Sequence, residues 1–142
     1  MSADPRKALA PLSPRDVEKL GPPESWTYQR DGDRDISIHG WTLGEGTIEA
    51  PGTGELRRGT IVTVSLTTTG RLITSRITWE GTRADKWQSE SATAQFHETP
   101  EAAYQWLVND SKGRLGPASK AAWVKACRAF RPMAEFAVER ID

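Results

Sequence analysis

The sequence predicts an α+β fold: an antiparallel sheet of roughly four to five strands followed by two C-terminal helices, with a Pro-rich N-terminal arm carrying one short helix. Thr60 to Thr67 and Leu72 to Glu80 alternate apolar and polar residues, with a turn at Thr68-Thr69-Gly70-Arg71 between them. Thr99-Pro100-Glu101 combines a hydroxyl cap, proline at the first helical position and an acid near the positive end of the helix dipole. Between Lys112 and Arg131 the apolar residues Ala122, Trp123, Ala126, Cys127 and Phe130 recur at helical spacing, with the cations on the opposite side.

Taken in order, residues 1–34 read as the arm. Pro5, Pro11, Pro14, Pro22 and Pro23 leave only Ser13 to Leu20 as helix, with Ser13 as cap and Pro14 at the first helical position. Residues 35–142 read as one domain, its sheet over about 35–98. Ile36, Ile38 and Trp41 begin the sheet, and the glycine- and proline-rich Gly44 to Gly59 region is expected to interrupt it. Val62, Val64 and Leu66 share one face of the next strand. Grouped with Ile73, Ile77 and Trp79, they predict one apolar face, leaving Thr63, Ser65 and Thr67 with Thr74, Arg76 and Thr78 as a hydroxyl-rich face. In the strand from Lys86 to Phe96, Ala92, Ala94 and Phe96 are in phase and Trp87 is not, so a bulge is expected near Ser89 to Ser91. Helices follow at about 99–110, with Ala103, Trp106 and Leu107 as its stripe, and 117–131, stopped by Pro132. A short final helix is expected over 133–140.

Composition narrows the class. The 142 residues carry 19 basic and 19 acidic side chains, so electrostatic recognition must come from local patches and not from overall charge. The single cysteine, Cys127, falls on the apolar side of the last long helix and is expected as a buried thiol in a reducing compartment. No apolar run suits a membrane span or a secretory signal, which gives the expectation of a cytoplasmic protein with no membrane association. Thirteen arginines against six lysines suit a GC-rich genome, such as that of an actinobacterium or one of its phages.

Several motifs begin and then stop short. Asp31, Asp33 and Asp35 alternate as a calcium loop does, but Ile36 stands where the loop needs glycine and Thr42 where it needs glutamate. Gly44-Glu45-Gly46 and Gly52-Thr53-Gly54 open like dinucleotide fingerprints, but Glu49 and Arg57 occupy the third glycine position. Gly54 to Thr60 has phosphate-loop glycine spacing with Thr60 in place of the lysine. His39 and His97 are the only histidines, too few for a tetrahedral site, and are expected to pack at strand ends. Glu90 and Glu98 serve as acid and base only if a cleft separates them. The expectation is a protein that is not an enzyme, with no cofactor and no metal.

What remains is a surface for partners. Lys112, Arg114, Lys120, Lys125, Arg128 and Arg131 lie in a stretch with no carboxylate between Ser111 and Ala134. Of the six tryptophans, Trp79, Trp106 and Trp123 suit the core, whereas Trp87 projects near Arg76, the composition of a binding hot spot or a base-stacking platform. From Arg71 to Asn109, with Trp87, Phe96 and Thr99-Pro100-Glu101-Ala102-Ala103, the order of three strands and a capped helix resembles in shape the DNA-binding modules of phage integrase arms and plant AP2 domains. That likeness implies an exposed sheet face that reads nucleic acid. The reading is a small accessory or regulatory binding module acting through a protein partner. The alternative is a nucleic-acid-binding module using the basic helix and the exposed sheet face. The partner-binding candidates are Arg76, Arg83, Lys86, Trp87, Lys120, Lys125, Arg128 and Arg131.

Overall fold

Five strands follow one another as a meander in the order β1-β2-β3-β4-β5, all antiparallel: β1 Glu24–Tyr28, β2 Ile36–Pro51, β3 Arg57–Thr67, β4 Leu72–Gly81 and β5 Ser89–His97. Helix α1 (Pro14–Leu20) precedes the sheet; α2 (Pro100–Asp110), α3 (Pro117–Ala129) and a 3₁₀ turn at Arg131–Phe136 follow it. The computed structural model describes residues 9, 12–51, 56–82, 89–110 and 116–136. The α+β class, the antiparallel sheet and the two C-terminal helices are as the sequence predicts.

Capping places the helices where the sequence puts them. Ser13 Oγ accepts the Asp16 N–H, and Thr99 Oγ1 accepts the Ala102 N–H at 3.1 Å. Ala103 and Leu107 of the predicted α2 stripe are fully buried and Trp106 is half-buried. The residues 131–136 form the 3₁₀ turn, and the rest of the expected final helix lies outside the described residues.

The sheet departs from expectation in three ways. It begins at Glu24, not near Asp35: Trp26 faces Ile38 and Tyr28 faces Ile36 across β1 and β2. The glycine-rich region interrupts the sheet later than expected, because β2 continues through Gly44 and Gly46 to Pro51 and β3 begins at Arg57. The irregularity sits between Thr42 and Gly44, whereas β4 and β5 stay in unbroken register from Leu72↔His97 to Glu80↔Ser89, with no bulge at Ser89 to Ser91.

The expectation of one apolar and one hydroxyl-rich face is also overturned. The β3–β4 turn closes with the Thr67 N–H donating to Arg71 O at 2.8 Å, and Gly70 supplies the positive φ of 87° within it. That closure sets Leu66 opposite Leu72, Val64 opposite Thr74 and Val62 opposite Arg76, while Ile73 falls opposite Ser65 and Ile77 opposite Ile61. Directly opposed residues share a face. Val62, Val64 and Leu66 therefore share theirs with Thr74 and Arg76, and Ile73 and Ile77 lie on the other side.

Both faces consequently carry a core cluster. On the first, α2 and α3 pack over Trp41, Leu43, Val62, Val64, Leu66 and Leu72. On the second the sheet curls on itself around Ile36, Ile38, Ile73 and Ala94, with Trp26, Tyr28 and Phe96 at the margin. The turn after β1 fastens the curl to β5: the Asp31 N–H donates to Ala92 O and Asp31 Oδ2 accepts the Ala92 N–H, both at 2.9 Å, and Arg30 Nη1 reaches Ala94 O. The aspartate-rich turn thus serves as a clasp.

Candidate binding surface

Helix α3 lies directly on the backbone of β2. A Cβ on Gly46 would stand 1.9 Å from Ala118 O and one on Gly44 2.2 Å from Ala122 O, so only glycine permits this approach. Ala118, Ala122 and Ala126, every fourth residue of α3, are the matching small side chains. Trp123, 1% exposed, meets the Tyr104 ring of α2 edge-on at 5.5 Å. Cys127 is buried beside them, and burial pushes its thiol up to about 12, far from a reactive thiolate.

That seating turns the charged side of α3 outward. Lys120, Lys125, Arg128 and Arg131 are all exposed. Lys125 Nζ donates to Glu45 O at 3.0 Å over the margin of β2. Among the described residues Lys120, Arg128 and Arg131 form no salt bridge. Four arginines elsewhere are paired, Arg57 with Glu49, Arg58 with Glu80, Arg71 with Glu98 and Arg30 with Asp33, whereas Arg15 and Arg34 are exposed without a salt bridge among the described residues. The outer side of α3 is therefore a one-sign surface in a chain with no net charge.

The remaining candidates separate from this surface. Arg76 is half-buried, its Nη2 donating to Ser119 Oγ at 2.8 Å, and so ties the first turn of α3 to β4. Arg83, Lys86 and Trp87 lie outside the described residues. The sheet surface left open on the helix side of β4 and β5 consists of Thr78, Ser91, Thr93 and Gln95, exposed and uncharged. Trp79 covers the Gly59 backbone, filling the space a side chain there would need.

The histidines occupy unlike environments. His97 is buried before α2, its Nε2 hydrogen-bonded to Thr74 Oγ1 at 2.7 Å and its ring 6.1 Å from that of Trp106; burial lowers its pKa to about 4. His39 is exposed, its Nδ1 2.8 Å from Ser25 Oγ, in a shallow depression shared with Trp26, Thr27, Ser37 and Ile38. Glu98 is engaged by Arg71. Among the described residues no group of His, Cys, Asp and Glu side chains is placed to hold a metal ion, and no helix is long and apolar enough to cross a membrane.

Sequence reasoning missed the interior hydroxyl cluster. Tyr28 OH lies 2.6 Å from Ser65 Oγ inside the curled sheet, burial raises the phenol's pKa, and Ser75 Oγ is buried beside it. It also missed Glu45, whose carbonyl holds Lys125. The signal for the α3 seat was present, in the pairing of Gly44 and Gly46 with alanines at four-residue spacing. No family model matches this sequence, and neither a curated protein nor a solved structure matches it.

Proposed function

We propose that this protein is a small non-enzymatic binding module that docks through the outer side of α3 onto an acidic surface of a partner protein. The observation that carries the reading is that Lys120, Arg128 and Arg131 stand exposed on one side of one helix that carries no carboxylate of its own, without an ion pair among the described residues. Mixed charges would keep such a helix equally soluble, so a one-sign side is better suited to a partner than to water. The depression at His39, shallow and without a carboxylate on the imidazole, supports a role in binding over one in catalysis.

The same cations also suit the phosphates of a nucleic acid, and this second reading rests on them alone, because the open strip Thr78, Ser91, Thr93 and Gln95 brings no positive charge to the sheet. A pull-down from nuclease-treated lysate separates the two. The triple variant Lys120→Gln, Arg128→Gln, Arg131→Gln is the control, and leaves Lys125 in place because it is tied to Glu45. A protein captured by the parent chain and not by the variant supports the proposal. Capture that disappears with nuclease, with a salt-steep shift of duplex DNA, supports the second reading. Equal capture by parent and variant removes α3 from both.

A further inference from the structure

The hydrogen-bond phase of the sheet can be followed strand by strand. The Thr68 N–H donates to His39 O and the Thr67 N–H to Arg71 O, so the even-numbered residues of β3 bond towards β2 and the odd-numbered ones towards β4. Thr63 and Ile61 therefore spend their peptide groups on β4. Their register partners on β2, Glu45 and Thr47, turn N–H and C=O away from β3, as does Glu49 opposite Gly59. β1 pairs with β2 only from Ile36 to Gly40, so among the described residues no strand flanks these three. Lys125 Nζ on Glu45 O marks the same outward direction.

This margin differs from the others. On β5, the outward N–H and C=O of Ala92 are taken by Asp31 and the outward C=O of Ala94 by Arg30. The outer margin of β1 is short and follows Pro22 and Pro23, features that blunt strand addition. On β2, Glu45, Thr47, Ile48 and Glu49 are all exposed, with the Ile48 side chain 39% open. An unpaired edge of this kind is a template for an extended peptide.

Charge selects the occupant. Glu45 and Glu49 point to one face of the strand with Thr47 between them, Glu49 also reached by Arg57 Nη1 at 3.2 Å and Glu45 without a salt bridge among the described residues, and Ile48 points to the other. A second copy pairing antiparallel about Thr47 would set Glu45 against Glu49 of its partner, like charges directly opposed. We propose that the outer edge of β2, at Glu45, Thr47 and Glu49, accepts as an added strand an extended segment of a partner protein with basic residues at alternate positions. The basic side chains lie over Glu45 and Glu49, small apolar ones over Ile48, and a backbone N–H of the segment replaces Lys125 at Glu45 O. This edge excludes Lys120, Arg128 and Arg131, so it stands or falls separately from the role of α3.

The test uses the full chain and two blocked heptapeptides, one alternating lysine with valine and one alternating glutamate with valine. Amide exchange by NMR is read at Glu45, Thr47 and Glu49. The lysine peptide is expected to slow exchange there by about tenfold or more at saturation. The glutamate peptide and a Thr47→Pro variant are expected to show no such protection. Proline at Thr47 removes an outward N–H and spares the β2–β3 ladder, so the variant keeps its fold. Lys125→Ala, which frees the Glu45 carbonyl, is expected to tighten the lysine peptide several-fold. Equal protection by both peptides, protection that survives Thr47→Pro, an unchanged affinity in Lys125→Ala, or a dimer already protected at these amides overturns the proposal.

Discussion

Burial keeps the His97 imidazole neutral in the folded protein, and this ties one residue to the acid stability of the whole. Its pKa of about 4 lies below the ordinary value of 6.5, so the unfolded chain takes up a proton first as pH falls. The contribution of His97 is complete above about pH 6.5, declines as pH falls from there and has levelled off below about pH 4, a loss of up to roughly 3 kcal/mol. Urea midpoints measured from pH 7.5 to pH 4.5 should fall for the parent chain and fall less steeply for His97→Gln. Parallel profiles would mean that His97 is not the titrating group. The packing of His97 at a strand end was legible in the sequence, but its bond to Thr74 was not, because that contact joins β4 to β5 across a register that only the turn chemistry fixes.

At the level of elements, the seat of α3 on β2 is set by two glycines. Gly46→Ala would press a methyl into Ala118 O, with cost of about 2–4 kcal/mol read as a lowered denaturation midpoint, whereas alanine at Gly32, where no atom lies within reach of a Cβ, meets only the strain of a positive φ. An unchanged midpoint for Gly46→Ala would contradict the close approach. Helices were the legible part of this fold: Ser13, Thr99, Pro100 and Pro117 mark their starts, and the stripe through Ala122, Trp123, Ala126 and Phe130 marks the buried side of α3. Strand existence was legible too, but strand phase was not. Alternation within β3 and within β4 says which residues share a face of each strand and nothing about which faces coincide, and the Thr67–Arg71 closure decides that. β1 was hidden because its five residues follow two prolines and its apolar partners Ile36 and Ile38 come only after the aspartate turn.

The described residues form a curled meander whose β5 margin is clasped at Ala92, whose helix side is covered over β2 and β3 and open along Thr78, Ser91, Thr93 and Gln95, and which presents the charged side of α3 and the β2 edge. The clasp itself is testable. Asp31→Ala removes the acceptor of the Ala92 N–H, which should exchange faster while overall stability drops by about 1 kcal/mol; unaltered exchange at Ala92 would mean that the edge is held by other means. Of the candidate surface, the charge of α3 was legible because it follows from residue order alone. The engagement of Arg76 with Ser119 was not, since it depends on how far the β4 side chain reaches towards the first turn of α3. The proposed function requires the outer side of α3 to be covered in the complex. Amine acylation of Lys120 and of Lys19 on α1 should be compared between the purified chain and the chain in nuclease-treated lysate. The account predicts that Lys120 is protected in lysate while exposed Lys19 keeps its reactivity. Equal reactivity of Lys120 in both settings would contradict it.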